Sequence, residues 1–340
     1  MIVPLSEAQR AAWRDRSVPE LELVAENVWA LAVPIPNSPL AYTYCYVLTD
    51  SNGVVVIDPG WDSDAGWELF VAGLRAIGHR PEDVTGIAIT HYHSDHLGMV
   101  PRLLERVPDA WLAMHANDIA TVESMRAGAA PTTESAGLAA DFFGVPLPRR
   151  GEIEYAPGSS KRGELFPRRW PANLVPLDDD GVLPLADREV RALWTPGHTA
   201  GHSAFLVPEQ NLFMSGDHIL PSITPNVGLD TGSVRQSLKN YLGSLERMSG
   251  LAEDTHVLPA HGYRFLGVRT RALEIVTHHD QRLDEIQRRW DSDSGRTVYE
   301  VAAGLHWSRG FESLTNFNLF AALAETVAHL YYLELEFETR

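Results

Sequence analysis

Cysteine is almost absent from this chain of 340 residues, which contains one, Cys45. A single cysteine excludes an intramolecular disulfide and any cysteine-rich zinc site. Cys45 lies in the aromatic stretch 41–48, and this setting predicts a buried, unreactive thiol on a strand. The chemistry of the protein is therefore expected to come from other side chains.

Basic residues and long apolar runs are also scarce. The chain has 28 Lys and Arg against 45 Asp and Glu, a formal net charge of −17, which disfavours a nucleic-acid partner. No apolar run approaches the roughly 20 residues that cross a bilayer. Residues 1–20 lack the apolar middle of a secretory signal. We therefore expect a cytoplasmic protein with no membrane partner and a small-molecule substrate, and a homo-oligomer is left open.

The remaining composition, with 44% hydrophobic residues, suits a globular protein with an ample core. Up to residue 264, short apolar runs punctuated by Pro, Gly and Asn predict alternating strands and helices, whereas residues 265–340 read as helices alone. This predicts a large domain over 1–264 and a small helical one over 265–340. The predicted strands are 21–24, 28–33, 44–48, 54–57, 84–89, 111–114, 190–194, 203–207, 211–215 and 255–258. The predicted helices are 6–15, 67–77, 98–106, 119–126, 135–143, 233–249, 269–290, 298–305 and 319–335.

The segment 118–176 is rich in Pro and Gly in its second half, and we interpret it as an inserted lid. This second half carries six basic residues, which is unusual in so acidic a chain. They either contact an anionic substrate, such as the phosphates of an acyl-CoA, or form a solvated loop, and the second interpretation is favoured. The six are Arg149, Arg150, Lys161, Arg162, Arg168 and Arg169.

The densest group of metal-binding side chains follows the apolar run 84–89. His91 and His93 are two apart, so in an extended segment they face the same way and can converge on one point. Asp95 and His96, where the chain turns toward a helix, would point at a neighbouring position. The spacing therefore predicts a loop that holds two adjacent cations.

Three further segments, 195–202, 215–218 and 259–262, offer His or Asp in a Gly-containing turn after a predicted strand. From these segments and the first loop, five imidazoles and two carboxylates, without a thiolate, form a candidate donor set that suits zinc and is compatible with iron or manganese. Two adjacent cations need a shared anionic ligand, and Asp217 is the natural candidate. The full candidate set is His91, His93, Asp95, His96, His198, Asp217 and His261.

In type and order these seven residues resemble the binuclear metal signature of the metallo-β-lactamase-fold hydrolases, and the strand end 56–60 resembles that family's first motif. The resemblance implies an α/β fold, a four-layer αβ/βα sandwich. It implies one metal site of His91, His93 and His198 and a second of Asp95, His96 and His261, bridged by Asp217. Asp58 would orient a ligand. The C-terminal residues resemble the small winged-helix-like appendage of some branches.

An Asp rather than a Cys at the bridging position resembles the glyoxalase II, lactonase, thioesterase and nuclease branches. The leading hypothesis is a binuclear zinc hydrolase in which a metal-bridging hydroxide attacks a carboxylic ester, thioester or lactone. Asp95 would steer the nucleophile or carry a proton to the leaving group. The alternative is a metal-dependent phosphodiesterase or ribonuclease of the same fold, and a non-enzymatic metal-binding module is a third reading.

Two other histidines lie beside the predicted ligands. His218 follows Asp217 and is predicted either to act catalytically, protonating a leaving group, or only to hydrogen-bond the ligands. His202 is predicted to hydrogen-bond the ligands without contacting the metal.

Overall fold

Two seven-stranded β-sheets, stacked face to face, form the centre of the protein. The computed structural model describes residues 1–129, 140–153, 166–228, 234–292 and 296–339. The first sheet keeps the order of the chain: β2 (Glu22–Ala25), β3 (Val28–Pro34), β4 (Tyr42–Asp50), β5 (Gly53–Ile57), β6 (Val84–Ala88), β7 (Trp111–His115) and β8 (Leu174–Leu177). Its first four strands are antiparallel, and β5 to β8 run parallel.

The second sheet is mostly antiparallel, with one parallel pair between its central strands. Its spatial order is β1 (Val3–Pro4), β14 (Phe265–Leu266), β13 (His256–Pro259), β12 (Leu212–Gly216), β11 (Ser203–Val207), β10 (Arg191–Trp194) and β9 (Gly181–Val182). Small and apolar side chains of both sheets, among them Ala88 and Met214, share one core between them.

Helices cover the outer face of each sheet and complete the predicted four-layer sandwich. Strand β4 shows how the layers form, because its side chains alternate between two cores. Tyr44 and Tyr46 face the second sheet, and Cys45 and Val47 face the helices. Cys45 is fully buried, as predicted, and burial raises the pKa of its thiol. The helices are α1 (Glu7–Asp15), α2 (Asp64–Ala76), α3 (Ser94–Leu97), α4 (Val100–Leu104), α5 (Ala116–Ser124), α6 (Val234–Met248), α7 (Val268–Ser292), α8 (Val298–Gly304) and α9 (Asn316–Tyr332).

The last three helices pack together and against residues 140–153. Helix α9 also packs on α6, and the start of α7 shares a core with the second sheet through Val268, Ala272 and Ile275. Strand β14 pairs with β13 across the proposed boundary at 264/265. The domain boundaries and the winged-helix likeness stay predictions. None of the described helices has the length and apolar character to cross a membrane.

The segment 118–176 differs from a simple inserted loop in the parts that are described. Its first residues belong to α5, which packs on β7 and β8, and its end forms β8 itself. The predicted helix over 135–143 lies partly outside the described residues. Of the basic cluster, Lys161 and Arg162 also lie outside them, whereas Arg168 and Arg169 are exposed. Arg149 is largely buried and donates to Glu152, to the Tyr299 hydroxyl and to the Leu314 carbonyl, while Arg150 pairs with Asp141.

Candidate metal centre

The loop that follows β6 carries the first donors. His93 ends the extended stretch and Ser94 begins the short helix α3, so the chain turns between the two histidines and the pair Asp95 and His96. The Nε2 atom of His91 and the Nδ1 atom of His93 are 2.9 Å apart. The two rings converge on one point.

His198 joins this pair from the loop between β10 and β11. Its Nε2 atom lies 3.0 Å from Nδ1 of His93. His91, His93 and His198 form a group whose ring nitrogens can hold one metal ion.

A second group of donors lies beside the first. The Nε2 atom of His96 is 3.8 Å from Oδ2 of Asp95, and Nε2 of His261 is 3.4 Å from the same oxygen. These residues also form a group that can hold a metal ion. His261 reaches it from the end of β13, on the second sheet.

Asp217, at the end of β12, lies between the two groups. Its Oδ2 atom is 3.6 Å from Nε2 of His198 and 3.7 Å from Nε2 of His96, and its Oδ1 atom is 3.3 Å from Nε2 of His261. One carboxylate therefore reaches donors of both groups, as a bridging ligand requires.

Hydrogen bonds on the far side of the His198 and His261 rings fix which nitrogen faces the cluster. Nδ1 of His198 donates to the Asn226 carbonyl over 2.8 Å, and Nδ1 of His261 donates to the Tyr42 carbonyl over 2.8 Å. Because Nδ1 donates to a backbone carbonyl in both rings, Nε2 is the nitrogen available to bind a metal ion. Sequence reasoning missed both acceptors, because a backbone carbonyl leaves no residue signature.

Asp58 performs the same task for His96. Its Oδ2 atom lies 2.8 Å from Nδ1 of His96, and the carboxylate also accepts from Thr90, through the backbone N–H at 2.8 Å and the hydroxyl at 2.6 Å. Asp58 has a φ of 53°, a left-handed conformation that Asp tolerates better than most residues. The strand end therefore turns its carboxylate under the loop that carries His91, His93, Asp95 and His96.

The arrangement fits divalent cations on electrostatic grounds. Burial lowers the pKa of His93 to about 3, so this imidazole presents a lone pair rather than a proton. Burial also disfavours charge on His261, but the carboxylates of Asp217 and Asp95 beside it raise its pKa to about 10. Among the described residues, the Nε2 atoms of His96 and His261 and Oδ1 of Asp217 have no hydrogen-bond partner, although all are buried. Two buried carboxylates that draw positive charge onto a neighbouring imidazole form a setting that suits a bound cation.

His202 and His218 flank this cluster below its surface. Nε2 of His202 accepts a hydrogen bond from the backbone N–H of Asp217 over 3.1 Å, and its Nδ1 lies 2.7 Å from Oγ1 of Thr195. His218 is fully buried, with its ring edge-to-face on Tyr241 at 5.2 Å. This burial favours packing over contact with substrate, and the catalytic role of His218 stays a prediction.

The comparisons with known proteins agree with this geometry. The family model of the metallo-beta-lactamase superfamily matches residues 39–261, which include all seven donors. The chain belongs to this superfamily. Membership supports hydrolase activity, and the His and Asp groups are where metal ions can be held.

Several proteins of the superfamily resemble the chain over most of its length. It is 23% identical to the lactamase-like protein nscB of Neosartorya fischeri over 85% of this chain and 74% of that protein. It is 22% identical to the Bacillus subtilis protein named "Probable metallo-hydrolase YqjP", over 92% of this chain and 94% of that protein. The solved structure of a metallo-beta-lactamase family protein from Thermus thermophilus, TTHA1429, is also similar, with 29% sequence identity and a TM-score of 0.76. The match covers 92% of this chain and 94% of the chain of that protein.

Proposed function

We propose that the protein is a binuclear, zinc-dependent hydrolase of a carboxylic ester, thioester or lactone. His91, His93 and His198 would hold one ion, Asp95, His96 and His261 the other, and Asp217 both. The observation that carries the proposal is the position of Asp217, whose two oxygens lie 3.3 Å from His261 and 3.6 Å from His198. Iron or manganese would also be accepted by this donor set.

The bound cations would supply a nucleophile at neutral pH and stabilise negative charge on the scissile group. Residues of the chain itself would position the reacting groups and transfer protons. Of the two carboxylates in the cluster, Asp95 is the more exposed, with 19% of its side chain accessible against 11% for Asp217. This greater exposure supports the proposal that Asp95 steers the attacking water and carries a proton to the leaving group.

Two properties of the chain bear on the class of substrate, namely the donor set and the net charge. Aspartate at the bridging position is shared with the glyoxalase II, lactonase, thioesterase and nuclease branches of the superfamily, so charge is needed to choose between them. The net charge of −17 counts against a polyanionic nucleic-acid substrate. A small carboxylic ester, thioester or lactone is the substrate that agrees with both.

Metal analysis and a substrate panel test this proposal. The purified protein should contain about two zinc ions per chain, and these should be removable by a chelator together with the activity. It should then be assayed with an acyl-CoA, a glutathione thioester, a lactone and bis-p-nitrophenyl phosphate. Turnover of the phosphodiester alone would contradict the carboxyl assignment and favour the phosphodiesterase alternative.

A matched pair of histidine variants controls for general damage. His93→Ala should abolish activity and lower the metal content while the circular dichroism spectrum stays unchanged. His79→Ala removes an imidazole that contacts Asp83 outside the cluster, and it should keep both metal and activity. An active His93→Ala protein with full metal content would overturn the assignment.

A further inference from the structure

Asp118 is a fully buried aspartate in the first turn of α5. It is none of the seven donors, and the sequence places it at the start of the predicted insertion rather than near a metal-binding motif. A buried carboxylate is costly unless hydrogen bonds compensate it. The hydrogen-bond partners of the Asp118 carboxylate therefore indicate the role of this residue.

The carboxylate of Asp118 accepts hydrogen bonds from both loops that carry the three-histidine group. Its Oδ2 atom accepts from the backbone N–H of Tyr92 over 3.0 Å and from the hydroxyl of Thr199 over 2.9 Å, and its Oδ1 atom accepts from the backbone N–H of Gly201 over 2.7 Å. Tyr92 lies between His91 and His93 in the chain, and Thr199 directly follows His198.

Close packing at Gly201 shows that the second loop is shaped around this carboxylate. A Cβ atom at Gly201 would lie 2.5 Å from the backbone nitrogen of Asp118 and 2.6 Å from its Oδ1 atom, so a larger residue would displace one of them. The glycine is thus required by the contact itself. Hydrogen bonds to an ionised carboxylate are also stronger than those between neutral groups.

We infer that Asp118 is a positioning residue that fixes the spacing between the His91–His93 loop and the His198 loop. The ring nitrogens of His93 and His198 are 3.0 Å apart although they come from different sheets, and among the described contacts the Asp118 carboxylate joins the loops directly behind them. The inference rests on the proposed metal-dependent function, because it gives Asp118 a part in the geometry of one of the two proposed metal sites.

Asp118→Asn tests the inference with the least change in shape. An amide offers one acceptor and one NH₂ group, so it must set a donor either against the N–H of Gly201 or against the N–H of Tyr92. Cobalt(II), loaded into the protein in place of the native metal, reports the geometry of each site through its visible absorption. We expect one equivalent of cobalt to bind about 10- to 100-fold more weakly in Asp118→Asn, with an altered spectrum, and the other to bind as in the wild type.

Asp50→Asn is the matched control. Asp50 also accepts backbone N–H groups, from Asn52 at 3.0 Å, Ala186 at 2.9 Å and Asp187 at 3.0 Å, but it joins loops that carry no metal donor. Its substitution should leave cobalt affinity and spectrum unchanged even where it lowers the melting temperature. Equal loss of stability in both variants, with wild-type cobalt spectra in both, would reduce Asp118 to a structural residue and overturn the inference.

Two further outcomes separate this inference from the proposed function. Wild-type protein that binds no cobalt contradicts the proposed function. If the wild type binds two equivalents and Asp118→Asn binds them with the same affinity and spectrum, the inference alone is contradicted. Should Asp118→Asn fail to fold, Thr199→Val removes one of the three donors at similar volume. That variant should bind one cobalt equivalent several-fold more weakly, and unchanged binding would again overturn the inference.

Discussion

His198 donates a hydrogen bond from Nδ1 to the backbone oxygen of Asn226 over 2.8 Å. The side-chain amide of Asn226 in turn donates to the carbonyl of Ala321 in α9 over 3.2 Å. Helix α9 comes from the C-terminal part of the chain, more than a hundred residues after His198. One asparagine therefore connects His198, a proposed metal ligand, to the last helix.

Asn226→Ala should weaken metal binding at the three-histidine group several-fold without unfolding the protein. The loss of the amide frees the loop from α9, and the carbonyl that orients His198 is then held less firmly. A competitive chelator titration measures the affinity. Asn173→Ala is the control, because its amide donates to the Asp109 carbonyl far from the cluster, and it should bind metal as the wild type does. Equal affinities in all three proteins would contradict the role given to Asn226.

Asp58→Asn should weaken binding at the Asp95, His96 and His261 group. The carboxylate accepts three hydrogen bonds, and an amide oxygen cannot replace both carboxylate oxygens. Asn tolerates the left-handed backbone of this position, so the variant should fold. We expect a loss of about 10- to 100-fold in affinity for one equivalent, measured by cobalt titration. Full affinity in this variant would show that His96 needs no such support.

His218→Phe separates packing from catalysis at the histidine next to Asp217, the proposed bridging ligand. Phenylalanine keeps a flat ring against Tyr241 and removes both ring nitrogens. We expect kcat within about threefold of the wild type, full metal content and a free energy of unfolding within about 1.5 kcal/mol. A loss of kcat beyond a hundredfold, with metal content and KM unchanged, would restore the catalytic role that the sequence suggests.

The donors of this centre could be read from the sequence because four of them are nearly consecutive and the others follow strand ends. His91 to His96 need only local geometry to converge. His198, Asp217 and His261 come from loops at the ends of β10, β12 and β13, and the family resemblance placed them together. The structure brings all seven into the cluster.

The supporting groups could not be read in the same way. Tyr42 and Asn226 act through backbone oxygens, which every residue has, and Asp118 acts through a contact between α5 and loops that are distant in sequence. Strand β8 escaped detection because Pro171 and Pro176 read as loop residues. An edge strand tolerates proline, and β8 lies at the edge of its sheet.

A buried histidine pair lies between α7 and α9, and Tyr241 separates it from His218. Nδ1 of His279 is 3.0 Å from Nε2 of His329, and Nδ1 of His329 is 2.7 Å from the Glu325 carbonyl. His329 therefore donates from Nδ1 and accepts at Nε2, so His279 donates to it and both rings are neutral. Burial lowers the pKa of His279 to about 2 and that of His329 to about 4.

These pKa values predict how stability depends on pH. In the unfolded chain an imidazole takes up a proton below about pH 6.5, whereas the folded pair stays neutral down to about pH 4. The unfolded state therefore binds more protons in this window, and each histidine lowers the free energy of unfolding by about 1.4 kcal/mol per pH unit as the pH falls. Above pH 6.5 the pair has no such effect.

His279→Leu should reduce the slope of the free energy of unfolding against pH between pH 6 and pH 4.5. The reduction should correspond to about one bound proton, and urea unfolding at fixed metal concentration measures it. Glu325, whose pKa burial raises to about 7, gives a trend of opposite sign, and Tyr241, His278 and Arg282 also face the pair. All four are present in both proteins, so the difference between the two slopes isolates the missing imidazole. His329→Leu should flatten the same curve above pH 4.5. Parallel curves for wild type and both variants would mean that the pair already titrates normally in the folded protein.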